Sequence, residues 1–260
     1  MLACDAVGPY VRITALDATG PQPVAGQFYM LQTAERWGGG QDGRPYLPRA
    51  LSFARAVQQD GGWALDFLLE DVGPGTHALS LLGEGAELLI AGPFGNGFSV
   101  DGSRLPVLVA GGIGLAPIVA LSDELAELDI PTPRTFVGMR SNDYALAAGA
   151  YGLEHELATE DGSAGHKGYV TELVAPLLSG DSDPLVYACG PPAMLEAVRA
   201  LCAEHGVDCQ LAMESGMACG FGACYGCVVP THDGYVRLCV DGPVLGGEQL
   251  ETALIAGTGH

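Results

Sequence analysis

The chain has 260 residues, enough for two domains and a small third module. Its formal charge of −20 reflects a scarcity of base, since 31 Asp and Glu face only 11 Lys and Arg, and Lys167 is the sole lysine. A surface so poor in cations cannot neutralise many phosphates, which argues against nucleic acid and anionic membranes as partners.

Residues 1–10 lack a basic stretch followed by an apolar one, so no secretory signal is expected. Four of the eight cysteines crowd the C-terminal part and the rest are scattered through apolar segments, which fits a reducing, cytoplasmic setting. In chain order, short β segments are expected at 10–14, 27–33, 49–56, 63–69 and 87–91, with a Gly-rich surface loop from Trp37 to Gly43 and a short helix at 78–82. That pattern predicts a small antiparallel β-barrel over residues 1–100. From 105 onward apolar strands at 105–110, 134–138, 155–159 and 185–188 alternate with helices at 116–128, 171–178 and 193–205. Alternation of this kind implies an α/β domain, with a parallel sheet covered on both faces, over residues 101–208. The uncharged run 105–122 approaches membrane-spanning length, but Gly111, Gly112, Gly114 and Pro117 divide it into strand, turn and helix. Residues 209–215 read as a last strand leading into a cysteine-rich domain that fills 209–260. The expected class is α+β with three domains.

Several short motifs lie on these elements. Arg49 and Ser52 alternate on one strand, where a guanidinium could pair with phosphate and a hydroxyl with a flavin edge. The Gly75–Thr76 peptide opens a helix, a place suited to anions. Gly111, Gly112 and Gly114 form a strand-to-helix turn suited to a pyrophosphate, although Pro117 stands where the dinucleotide fingerprint has its third glycine. A merely tight turn is the plain alternative. Cys189, Gly190 and Pro191 close the last parallel strand, and ligands of such sheets bind at the carboxyl ends of strands. Cys189 is either a neighbour of nicotinamide or a buried strand-end thiol. A third segment at the same edge, 159–168, carries Lys167 and otherwise reads as a flexible loop.

Cys219, Cys224, Cys227 and Cys239 are spaced C-x4-C-x2-C and then C-x11-C, the plant-type 2Fe-2S arrangement. A four-cysteine zinc site is the rival, but structural zinc usually has two short-spaced pairs, and Cys239 stands alone. His232 lies between the third and fourth cysteines without the paired Cys-x-His pattern of a Rieske centre, so it reads as a solvated loop histidine.

Taken in this order, the motifs resemble the ferredoxin-reductase-like flavoproteins, and within them most closely the electron-transfer subunits of class 1B dihydroorotate dehydrogenase. The resemblance covers nearly the whole chain. It implies a barrel that binds FAD through Arg49, Ala50, Leu51, Ser52, Leu68, Leu69, Glu70, Gly75 and Thr76. It further implies NAD at Gly111, Gly112, Gly114, Cys189, Gly190 and Pro191, and a 2Fe-2S cluster on the four cysteines. Electrons would pass from the FMN of a dihydroorotate dehydrogenase catalytic subunit through cluster and FAD to NAD+, in pyrimidine (UMP) biosynthesis, within a heterotetramer of two subunits of each kind. No catalytic side chain is required by that scheme. Ala50 departs from the family's usual proline, and the interval from Cys227 to Cys239 implies a trimmed hairpin. The alternatives are an FAD/2Fe-2S NAD(P)H oxidoreductase subunit of a hydrogenase, sulfide dehydrogenase or transhydrogenase complex, a standalone oxygenase reductase, and a zinc-bearing interaction module.

Overall fold

In the computed structural model, which describes residues 1–35, 37–38, 44–180 and 182–255, glycines and prolines cut the first hundred residues into six strands. They are β1 (Ala3–Val7), β2 (Tyr10–Asp17), β3 (Phe28–Thr33), β4 (Arg49–Gln59), β5 (Gly62–Glu70) and β6 (Leu88–Phe94), and α1 (Pro74–Ser80) lies between the last two. The sheet runs β1-β2-β5-β4-β3-β6 with every neighbour antiparallel. Its two edge strands are tied at one end, where the Met1 amino group donates to the Ala86 carbonyl at 3.0 Å and the Gly85 N–H to the Met1 carbonyl at 3.2 Å. Inside, Tyr29 meets Phe53 and Phe67 edge-on at 6.5 and 5.6 Å. Most of the Trp37–Gly43 loop, residues 39–43, lies outside the described residues.

The second sheet begins with β7 (Leu105–Gly111) and continues through α2 (Leu115–Ala126), β8 (Arg134–Met139), α3 (Asn142–Ala150), β9 (Glu156–Thr159), β10 (His166–Lys167), α4 (Val170–Leu178), β11 (Pro184–Cys189), α5 (Pro192–His205) and β12 (Cys209–Ala212). After the hairpin β13 (Val228–Thr231) and β14 (Gly234–Arg237), β15 (Val244–Gly246) returns to the same sheet. Its order is β10-β9-β8-β7-β11-β12-β15, parallel except for β15. Strands β7 and β11 are almost wholly buried, as sheets covered on both faces require.

The expected boundary between residues 208 and 209 therefore falls inside a sheet. Val186 pairs with Cys209 and Gln210 with Gly246, so the cysteine-rich residues 213–243 form an excursion between two strands of the nucleotide-type sheet. The cause is the apolar, mostly buried run 209–212, which is better satisfied beside β11 than in a small module.

One apolar core joins the sheets through α2: Ile13, Leu31 and Leu65 of the first pack in a single cluster with Leu108, Ile118 and Tyr187 of the second. The opposite face is a second core in which Phe28 and Met30 meet Val107, Val186 and the Val229 and Leu238 side chains of the excursion. Polar contacts fasten the same joint. Arg55 of β4 donates to both Asp123 oxygens at 2.7 and 3.1 Å and lies over the Tyr151 ring at 5.4 Å. Tyr144 of α3 donates to Glu70 at 3.0 Å. No helix among the described residues is long and apolar enough to cross a membrane.

Candidate functional site

Two clefts open at the carboxyl ends of the parallel strands. The first, about 240 Å3, is walled by the start of β4, the end of β5, Thr76, Pro117, Cys189 and the stretch after β12. Ala50, Leu51, Ser52, Leu68, Leu69 and Glu70, expected together, all line it. Arg49 and Gly75 adjoin that wall. The Arg49 guanidinium occupies the space where a Gly75 side chain would stand, donates to the Leu47 carbonyl at 2.5 Å and sits over the Trp37 ring at 5.6 Å. Burial alone pulls its pKa below the usual arginine value, and no carboxylate is paired with it among the described residues. Thr76 serves the turn itself: its hydroxyl accepts from the Val72 and Gly73 N–H groups, each at 3.0 Å. An apolar floor with the Ser52 hydroxyl and a half-buried cation at its rim fits a flavin bearing a pyrophosphate.

The second cleft, about 460 Å3, is lined by Gly111, Gly112, Ile113, Met139, Arg140, Tyr169, Pro191 and Met194, among others. Gly112 holds φ 53°, which favours glycine. Gly114 has a different role: a side chain there would strike the Cys189 carbonyl, so its task is the close approach of α2 to the end of β11. Gly190 likewise packs against Gly111 and Met194. Cys189 faces the first cleft, and burial, then the charge of Glu214, pushes its thiol pKa up. Lys167 lines neither cleft; its stem covers Gly162. The sequence reading missed Glu214, which, with Glu70 and Ile113, belongs to both clefts. It also missed Tyr10, Arg140 and Tyr144. The one readable signal for Glu214 was an acid ending the apolar run 209–213.

The four cysteines come from the excursion. Positive φ at Gly220 (82°), Gly222 (87°) and Tyr225 (57°) coils the chain between Cys219 and Cys227. A side chain at Gly220 would run into Met30 and Phe94, so this coil lies directly on the first sheet. Met217, just before the coil, and Pro243, at the far end of the excursion, wall the first cleft. Burial opposes ionisation of Cys219, but the Phe221, Cys224 and Ala223 N–H groups and the Cys224 thiol outweigh it and bring the pKa to about 6. The Gly226 N–H points to the Cys224 sulfur at 3.4 Å and the Cys239 N–H to the Cys227 sulfur at 3.5 Å. Among the described residues no three Cys, His, Asp or Glu side chains converge as a closed metal cage. The sulfurs meet in two pairs, Cys219 with Cys224 and Cys227 with Cys239, and Cys219 is near enough to act on Cys239. Free thiols served by backbone N–H donors fit an iron-sulfur group. His232 is exposed in the two-residue turn of the short hairpin, as expected of a loop histidine. Phe221, 64% exposed, does not pack beneath the coil.

The iron-sulfur cluster binding domain of dihydroorotate dehydrogenase B matches residues 214–251, and the oxidoreductase NAD-binding domain matches 108–200. The dihydroorotate dehydrogenase B (NAD(+)) electron transfer subunit of Clostridium acetobutylicum is 38% identical over 86% of this chain and 85% of its own length. That of Clostridium perfringens is 36% identical over 87% of each. Among solved structures, an NADH-dependent reduced ferredoxin-NADP oxidoreductase superposes with a TM-score of 0.84 at 24% identity, covering 96% of this chain and 88% of that one. The ferredoxin reductase of carbazole 1,9a-dioxygenase gives 0.65 at 23%, over 79% and 64%. These two establish the ferredoxin-reductase-like fold. Sequence, cleft geometry and coverage agree: the chain belongs to the family of dihydroorotate dehydrogenase B (NAD(+)) electron transfer subunits.

Proposed function

We propose that this chain carries electrons from the FMN of a dihydroorotate dehydrogenase catalytic subunit to NAD+, using a 2Fe-2S cluster on Cys219, Cys224, Cys227 and Cys239 and an FAD in the smaller cleft. The observation that carries this reading is the linear order of the sites. The nucleotide-type cleft shares Glu70, Ile113 and Glu214 with the smaller cleft, and the smaller cleft is walled in turn by the cysteine excursion. FAD supplies the exchange between single electrons on the cluster side and a hydride on the nicotinamide side. The chain's own part is placement. Arg49 neutralises phosphate, Ser52 offers its hydroxyl, and Leu68 and Leu69 exclude water from the ring. Gly111 and Gly112 admit the NAD pyrophosphate, with Pro191 beside it. Gly75 and Thr76 complete the FAD turn, whereas Gly114, Cys189 and Gly190 bring the two sites close.

The catalytic subunit docks on the cysteine face, where Phe221 and Tyr225 are 64% and 62% exposed and Val228 is partly so. Two subunits of each kind form the working complex, in the cytoplasm. The domain scheme becomes 1–100 for FAD, 101–212 with 244–246 for NAD, and 213–243 for the cluster. Mixing the purified chain with an FMN-containing catalytic subunit is expected to give dihydroorotate-dependent NAD+ reduction. A complex that forms normally, oxidises dihydroorotate and never makes NADH overturns the proposal.

A further inference from the structure

Among the described residues, only three belong to both clefts: Glu70, Ile113 and Glu214. Ile113 carries no proton, and Glu70 accepts the Tyr144 hydroxyl hydrogen at 3.0 Å. Glu214 is different. It follows β12 at the carboxyl edge of the second sheet, beside Met213, whose N–H is fixed to the Pro243 carbonyl at 2.9 Å. No hydrogen-bond or ion-pair partner meets its carboxyl among the described residues. Glu214 is half-buried, and a carboxylate held there without a donor has only the water of the clefts to stabilise its charge.

We propose that Glu214 is a catalytic acid, a neutral carboxyl that delivers the proton consumed each time electrons arriving singly leave as a hydride. This inference rests on the assignment of the two clefts to FAD and NAD. The need for it follows from balance. Two electrons tunnelling in from the cluster bring no proton, while the hydride that leaves for NAD+ takes two electrons and one proton. One proton per turnover must therefore be delivered to the flavin. The Glu214 O–H bond breaks, its proton goes to the flavin, and the carboxylate regains a proton from water through the open end of the larger cleft. In the reverse direction the carboxylate takes the proton back. Burial raises the Glu214 pKa to about 7, so both forms are accessible near neutral pH. The titratable groups facing this junction are Cys189 from β11 and Glu70 from β5, with Tyr10, Arg140, Tyr144, Glu160 and Tyr169 along the larger cleft. Of these, Cys189 has its pKa raised in part by the Glu214 charge.

The test uses the two-subunit complex. Absence of FAD from the wild-type complex would overturn the cleft assignment and this inference with it. In FAD-replete complex, Glu214→Gln is expected to slow dihydroorotate-driven NADH formation about a hundredfold, a typical contribution of a positioned general acid. It should also abolish the fall in rate as pH rises through neutrality, while Glu214→Asp restores both. A readout independent of turnover is the infrared carbonyl stretch of a protonated carboxyl, expected in the wild type just below neutral pH, lost on raising pH and missing in Glu214→Gln. A Gln variant that keeps FAD, wild-type rate and the wild-type pH profile overturns the proposal. If the Gln variant loses FAD, the wild type and Glu214→Asp decide: no protonated carboxyl band in either also overturns it.

Discussion

The nucleotide-type sheet and the cysteine excursion stand side by side, yet they are held by different means. Strands β7 and β11 are clamped between helices on both faces, and their alignment needs nothing beyond apolar burial. The excursion has only a two-stranded ladder, four residues to a strand, and such hairpins are marginal alone. It is kept in place by Met30 and Phe94 beneath Gly220, by Asn96, whose side chain donates to the Val240 and Asp241 carbonyls at 3.2 and 3.1 Å, and by Val229 and Leu238 in the second core. The lesson is that the nucleotide end is held by a covered sheet, whereas the cluster end is held by a few contacts with its neighbours.

The sharpest way to break that contrast is to remove the metal. Cys239→Ser is expected to abolish cluster absorbance and to raise amide exchange across 213–243 by orders of magnitude, with β7 and β11 still protected. Equal loss of protection in both regions would show that the contrast is false. Gly114→Val probes the other side, because its side chain would meet the Cys189 carbonyl. We expect about 2–3 kcal/mol of lost stability and a higher Kd for NADH, measured by chemical denaturation and titration. Arg49→Ala should weaken FAD binding by about 1.5–3 kcal/mol, roughly ten- to a hundredfold in Kd, with the cluster spectrum unchanged. The smallest effect is Asn96→Ala, which removes two hydrogen bonds on the excursion. A loss of about 1–2 kcal/mol, confined to exchange within 213–243, is the expected outcome.

Much of this was legible in the sequence because periodicity and punctuation coincide. The five predicted strands of the first sheet and the strand-helix alternation after 105 appear with shifts of a few residues. What escaped has physical causes. Helix α3 is made of small residues, so Ala145, Ala147 and Ala148 are buried without an apolar stripe to announce it. Strand β15 has three residues and gains meaning only from pairing with β12, thirty-odd residues earlier in the chain. The run 50–52 and 68–70 that walls the smaller cleft was named through family likeness, and the cysteines through their spacing. Glu214 showed only as an acid ending a mostly apolar run, since nothing near it in sequence says that two clefts meet there.

The joint built by α2, Arg55, Asp123 and Tyr144 bears on how such a protein can be rebuilt. Because Ile13 and Leu65 share one apolar cluster with Leu108 and Tyr187, the first hundred residues are not a cassette. A chimera spliced near residue 100 would put foreign side chains on both sides of the seam and leave Arg55 without its carboxylate. Exchange of the cysteine excursion is the more tractable graft: its two ends, β12 and β15, are adjacent strands of one sheet, and a graft has to keep the Val229 and Leu238 contacts that it makes with the second core. A change of electron partner can thus be sought by transplanting residues 213–243 together with Met30, Phe94 and Asn96, the side chains on which that loop rests.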